Sequence, residues 1–199
     1  MVVESTKMSK KRPEITVFAG PNGSGKSTLT PESPHVIQPY INADDIKRTI
    51  HCSDLEAAQK AEELRLKSLD AGLNFSFETV LSTNRNLDLL KAAKDKGYFI
   101  RGLFILTADV ELNVFRIKER QQRGGHGVPP DKIRSRYFKS LANVPMFITL
   151  CDICHIYDNT GQEPRRIFKK KRDQINFWTT QFWTRKKIFE LVGFSINND

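Results

Sequence analysis

Ile15-Thr16-Val17-Phe18-Ala19-Gly20-Pro21-Asn22-Gly23-Ser24-Gly25-Lys26-Ser27-Thr28 decides the fold of this 199-residue chain. Ile15 to Ala19 are β-branched or apolar and read as a strand, which runs into a loop where Gly20 is followed after four residues by Gly25-Lys26-Ser27. Glycines let such a loop turn so that successive N–H groups point at phosphate oxygens, and the helix starting near Lys26 adds its positive N-terminal end. Gly20, Pro21, Asn22, Gly23, Ser24, Gly25, Lys26, Ser27 and Thr28 are therefore expected to cradle the phosphates of a nucleotide. Lys26 would reach the β- and γ-phosphates, and the Ser27 hydroxyl would hold Mg²⁺. The alternative is a glycine-rich turn with no ligand.

Working outward, apolar runs at Ile15 to Ala19, Val36 to Ile41, Phe75 to Phe77, Ile100 to Leu106 and Ile153 to Tyr157 alternate with longer helical patterns. This rhythm predicts an α/β fold with a parallel sheet of about five strands, helices on both faces, and ligands at the C-terminal edge of the strands. Helices are expected from about Asp54 to Ala71, closed by Gly72, and from Asn84 to Lys96, closed by Gly97. Ile133, Tyr137, Leu141 and Val144 form a helical stripe that Pro145 would kink or interrupt.

The chain is long enough for one sizeable core and short for two. Residues 1–12 read as a disordered basic tail, 13–165 as the main domain, and 166–199 as a basic aromatic extension packing on that domain. No secretory leader or membrane-spanning run is visible, which predicts a cytoplasmic protein. The formal charge of +9 attracts polyanions at long range without choosing among nucleotide, sugar nucleotide and nucleic acid. From Gly161 to Asp199 nine Lys or Arg face four Asp or Glu. That stretch reads as a solvated basic face ahead of a nucleic-acid patch or a dock for an acidic partner. Trp178, Phe182, Phe189 and Val192 would share a helical face packed on the domain, ahead of a partner or membrane surface. Cys151-Asp152-Ile153-Cys154-His155 has the spacing of a haem attachment site. Without an export signal or a second ligand pair, it reads as buried reduced thiols leading into a strand.

Two carboxylate positions follow strands on the phosphate-loop edge: Asn42-Ala43-Asp44-Asp45 and Glu78-Thr79. Phosphoryl transfer needs a carboxylate beside the acceptor hydroxyl and Mg²⁺ bridging the β- and γ-phosphates. Asp44 is the candidate base, set against a plain helix N-cap. Glu78 would bind acceptor hydroxyls or the water shell of Mg²⁺, with Thr79 beside it. Arg116, Arg120 and Arg123 recur at i, i+4 and i+7 ahead of the turn Gly124 to Pro130, and Arg134 and Arg136 follow on a new helix. Two arginine-bearing helices joined at a flexible corner look like a lid that closes over ATP. A solvated arginine face is the plainer alternative, and His126 reads as a turn residue. After the last strand, Asn159 in Asp158-Asn159-Thr160-Gly161 would read the adenine ring.

In this order, the loop Gly20 to Thr28, then Asn42-Ala43-Asp44, Phe77-Glu78-Thr79, and Arg123-Gly124-Gly125-His126-Gly127-Val128-Pro129, the chain resembles the zeta-toxin-like family of P-loop kinases. The resemblance covers roughly residues 14–165. It implies a P-loop NTPase/kinase fold and the cofactors ATP and Mg²⁺. It also implies phosphorylation of a hydroxyl of UDP-N-acetylglucosamine, and a small proteinaceous antitoxin as partner. By it Lys26 and Ser27 serve ATP and Mg²⁺, Asp44 is the base, Glu78 touches the sugar, and Arg120, Arg123 and Arg134 stabilise charge. Val80-Leu81-Ser82 stand where the longer toxins carry a substrate-holding arginine run, which implies a differently built sugar pocket. Two other readings remain: a kinase for another hydroxyl, such as a nucleoside or a polynucleotide 5′ end, and an ATP-dependent binding module without transfer.

Overall fold

The computed structural model describes residues 12–125 and 127–194. The N-terminal tail apart from Arg12, and His126 with the turn role expected of it, lie outside the described residues. The elements are β1 (Glu14–Ala19), α1 (Lys26–Leu29), β2 (Tyr40–Ile41), α2 (Ala43–Ile50), α3 (Asp54–Asp70), β3 (Phe75–Thr79), α4 (Arg85–Asp95) and β4 (Phe99–Leu106). They continue with α5 (Val110–Gln122), α6 (Pro130–Ala142), α7 (Val144–Leu150), β5 (Ile153–Asp158), β6 (Arg165–Lys171), β7 (Gln174–Phe177) and α8 (Arg185–Val192).

Seven strands form one sheet in the order β2-β3-β1-β4-β5-β6-β7. The first five are parallel, and β6 and β7 add to the β5 edge antiparallel. Alternation along β1 and β4 divides the core in two. Ile15, Val17, Ala19, Ile100, Phe104 and Leu106 face a large cluster supplied by α3, α4, α7 and α8. Phe18, Leu103 and Ile105 face a smaller one with Leu29 of α1, Val36, Tyr40 and Tyr157. Central strands buried on both faces explain why they read as continuous apolar runs.

Two expectations change, and at Pro145 one of two alternatives is met. The strand expected over Val36–Ile41 shortens to β2, because Pro39 has no N–H to give a ladder. Ser76 stands in for the ladder: its Oγ accepts from Ile37 N at 3.1 Å and donates to Ile37 O at 2.6 Å. The helical stripe is interrupted, the second of the alternatives expected at Pro145: α6 ends at Ala142, α7 starts at Val144, and Pro145 sits in the first turn of α7, where a missing N–H is harmless. The C-terminal aromatics do not share one helix face. Trp178 and Phe182 lie in irregular chain before α8, which Thr184 caps by accepting from Lys187 N. Phe189 instead packs its ring edge-on against Phe177 of β7, centroids 5.0 Å apart. Cys151 and Cys154 are free and buried, and burial pushes the Cys151 thiol well up.

Candidate active site

The loop after β1 is braced by two asparagines from neighbouring segments. Gly23 has φ +77°, and a Cβ there would lie 2.6 Å from the Asn113 carbonyl oxygen. Gly25 has φ +94°, and its Cβ would collide with the Asn159 amide. Only glycine meets both conditions, a left-handed backbone and a neighbour already in the Cβ position. Asn113 Nδ2 donates to Asn22 O at 2.8 Å, and Asn159 Nδ2 donates to Ser24 O at 2.8 Å. The Asn159 donor expected to read adenine is thus committed to the loop backbone. Asn113, fully buried on α5, was not singled out from the sequence, since an asparagine within a helical pattern carries no motif.

Lys26 is 6% exposed, and its Nζ donates to Gly20 O at 2.7 Å and Pro21 O at 2.9 Å. Desolvation lowers its pKa, the charges of Glu78 and Asp44 act against that, and Arg120 adds to it. A phosphate would supply the counter-charge that burial withholds. Beside it, Ser27 Oγ donates to the Glu78 carboxylate, at 3.1 Å to Oε1 and 3.3 Å to Oε2. Tyr40 OH donates to Glu78 Oε2 at 3.0 Å, and burial followed by the Glu78 charge pushes the Tyr40 pKa strongly up, so it remains a donor. Tyr40 was missed in the sequence, although it stands two residues before Asn42 at the same strand edge.

Asn42, not Asp44, caps α2: its Oδ1 accepts from Asp44 N at 3.0 Å. Asp45 pairs with Arg48, which leaves the Asp44 carboxylate as the one on that turn lining the cleft. Thr79 Oγ1 accepts from Leu81 N at 3.0 Å and Asn86 Nδ2 at 2.7 Å, so this hydroxyl also shapes the turn after β3.

These groups line one cleft of about 980 Å³. The loop and α1 form one side, with Asp44 and Lys47 of α2 and Glu78 and Thr79 of β3 beyond them. Arg116 and Arg120 approach from α5, Arg123 from its C-cap, and Arg136 from α6. Arg134 is not on the cleft wall. Its Nε and Nη2 clamp the Glu111 carboxylate at 2.7 and 2.9 Å, and its Nη1 reaches Asp131 at 3.4 Å, so it ties α5 to α6. Arg123 lines the cleft while its Nη2 also reaches Glu119 of its own helix at 3.4 Å.

Among the described residues no group of three or more His, Cys, Asp or Glu is placed to hold a metal, and no helix is long and apolar enough to cross a membrane. The Ser27 hydroxyl beside the Glu78 carboxylate is a pair of hard oxygen donors. That suits Mg²⁺, which usually takes few protein ligands and completes its shell with phosphate and water.

The family model described as Zeta toxin matches residues 2–173. An uncharacterized protein of Haemophilus influenzae is 34% identical over 125 residues, covering 60% of this chain and 89% of that one. Among solved structures, a chain of the AvrRxo1-ORF1:-ORF2 complex with ATP superposes with a TM-score of 0.68 at 13% identity, covering 94% of this chain and 66% of that one. This chain therefore spans just under two thirds of that neighbour. A chain from the PezAT chromosomal toxin-antitoxin system of Streptococcus pneumoniae superposes with a TM-score of 0.59 at 20% identity, covering 98% of this chain and 84% of that one. At these identities the two structures speak for the fold.

Proposed function

This chain belongs to the zeta toxin family of P-loop kinases, and we propose that it transfers the γ-phosphoryl group of ATP, with Mg²⁺, to a hydroxyl of a UDP-activated amino sugar, UDP-N-acetylglucosamine. The observation that carries this reading is the convergence of Lys26, the Ser27–Glu78 pair and Asp44 on one cleft at the C-terminal edge of the strands. The ATP bound in the AvrRxo1 complex supports the choice of nucleotide. The toxin-antitoxin origin of the Streptococcus neighbour supports a protein antitoxin as partner.

In this reading the loop N–H groups and Lys26 hold the phosphates, with Lys26 exchanging the Gly20 and Pro21 carbonyls for phosphate oxygen. Ser27 and Glu78 would hold Mg²⁺, which would supply positive charge to the transferring phosphates. Asp44 accepts the acceptor's proton as its oxygen bonds to the γ-phosphorus, and the bond from that phosphorus to the β–γ bridging oxygen breaks to release ADP. Arg120 and Arg123 bring guanidinium charge to the transferring group. Arg116 and Arg136, also on the wall, do the same or hold the nucleotide. Arg134 sets the angle of the lid.

The test is transfer of label from γ-labelled ATP with Mg²⁺ to UDP-N-acetylglucosamine, measured against other sugar nucleotides, nucleosides and oligonucleotides, with Lys26→Ala as the blank. Asp44→Asn is expected to slow transfer by about a hundredfold or more and to bind ATP as the parent does. Transfer at the parental rate in Asp44→Asn removes it as the base. Label on another acceptor, or on none, replaces the sugar substrate or the transferase reading.

A further inference from the structure

Arg65 lines the cleft that also holds Asp44, the proposed base, and lies against Phe77, the residue before Glu78 on β3. It comes from α3, where Ala57, Ala61 and Arg65 recur every four residues along one buried face. The two alanines line the cleft without filling it, and the arginine follows one turn further along. Arg65 is 8% exposed. Its Nε is buried without a hydrogen-bond partner, and its guanidinium makes no ion pair among the described residues. Its one neighbour of note is the Phe77 ring, 5.1 Å from Cζ, which attracts the charge without supplying an oxygen acceptor for its N–H groups. Glu62, the carboxylate whose charge reaches it, is itself bonded to Arg85 at 3.4 Å. Burial depresses the Arg65 pKa without making it neutral at any working pH. A charged guanidinium whose Nε is buried without an acceptor is unfavourable in the free protein, and an oxyanion entering the cleft would remove the deficit.

We propose that Arg65 is an anion-binding residue of the acceptor subsite, and that the acceptor carries a phosphate or carboxylate group as well as its reactive hydroxyl. Assignment to the acceptor rests on the kinase reading above, whereas the anion site rests on Arg65 itself. For a UDP sugar the diphosphate would be the group held.

The experiment compares the parent with Arg65→Met, which keeps the length and apolar stem but removes charge and donors. With the phosphate loop saturated by a non-hydrolysable ATP analogue and Mg²⁺, inorganic pyrophosphate and malonate are titrated while Tm is followed. The parent is expected to be stabilised by at least one of them, and which one separates a phosphate site from a carboxylate site. Arg65→Met is expected to melt no lower than the parent without anion and to lose that response. In transfer assays the variant should raise KM for the acceptor at least tenfold with a smaller change in kcat. A variant that melts lower yet responds to both anions as the parent does makes Arg65 a packing residue and overturns the proposal, as does a parent that responds to neither. Because the Tm readout needs no turnover, absence of transfer would fail the kinase reading while leaving the anion site to be judged separately.

Discussion

Lys26 and His155 show two ways in which burial acts on one side chain. Lys26 is desolvated at a place where phosphate is expected, so its handicap in the free protein favours nucleotide binding. His155 is half-buried on β5, paired with Leu103 of β4, with Nδ1 3.3 Å from Tyr157 OH. Burial first, then the charges of Arg166, Lys169, His35 and Arg101, push its pKa down to about 4 from the ordinary 6.5. The folded state therefore refuses a proton that the unfolded chain accepts. This stabilisation is fully present above about pH 6.5 and is lost as pH falls towards 4, where both states are protonated. After discounting for solvent around a half-exposed ring, its size is about 1 kcal/mol. His155→Gln should flatten the fall in urea midpoint between pH 7 and 4. His35, shifted the same way by burial and Arg101, keeps part of the slope. A variant whose midpoint falls as steeply as the parent's would show that His155 titrates alike in both states.

At the scale of elements, the α5–α6 pair separates arginines by what they touch. Arg134 and Glu111 join α6 to α5 through two parallel hydrogen bonds, whereas Arg120 lines the cleft. Arg134→Ala and Glu111→Ala should therefore lower kcat by similar factors, about twofold to fivefold, and the double variant should be no worse than either alone. Arg120→Ala should cost about a hundredfold. A hundredfold loss in Arg134→Ala with little change in Glu111→Ala would return Arg134 to the transition state. The same distinction marks what the sequence could reveal. The phosphate loop, the parallel strands and the places of Asp44 and Glu78 were legible because local chemistry sets them: glycine conformations, apolar runs, strand ends. The pairing of Arg134 with Glu111, 23 residues apart, the Asn113 and Asn159 braces, and Tyr40 on Glu78 arise only when distant segments meet. Strand β6 was hidden for a different reason. In Arg165–Lys171 only the adjacent Ile167 and Phe168 are buried, so it lacks the alternation that marks a half-buried strand.

For the molecule as a whole, the family match ends at residue 173 but the core does not. Trp183, Ile188, Leu191 and Val192 are buried in the cluster that also holds Ile15, Val17 and Phe104, under the strand that carries the phosphate loop. Ring contacts from Phe189 to Phe177 and from Phe194 to Phe168 pin the C-terminal segment to β6 and β7. Each large buried apolar side chain contributes about 1.5–3 kcal/mol. Four of them together approach the ~5–15 kcal/mol that holds a domain folded. A chain ending at Arg172 would lose this cover, and β6 would become an exposed edge available to other chains. Such a chain should lack a cooperative melt by near-UV circular dichroism and should bind no ATP, although every residue proposed for chemistry is still present. Leu191→Ala, a milder change at the same place, should lower stability by about 2–5 kcal/mol while leaving acceptor KM unchanged. A cooperative, ATP-binding chain ending at Arg172 would mean that the phosphate loop is held without β7 and α8. In that case β7 and α8 would have to be explained by something other than stability.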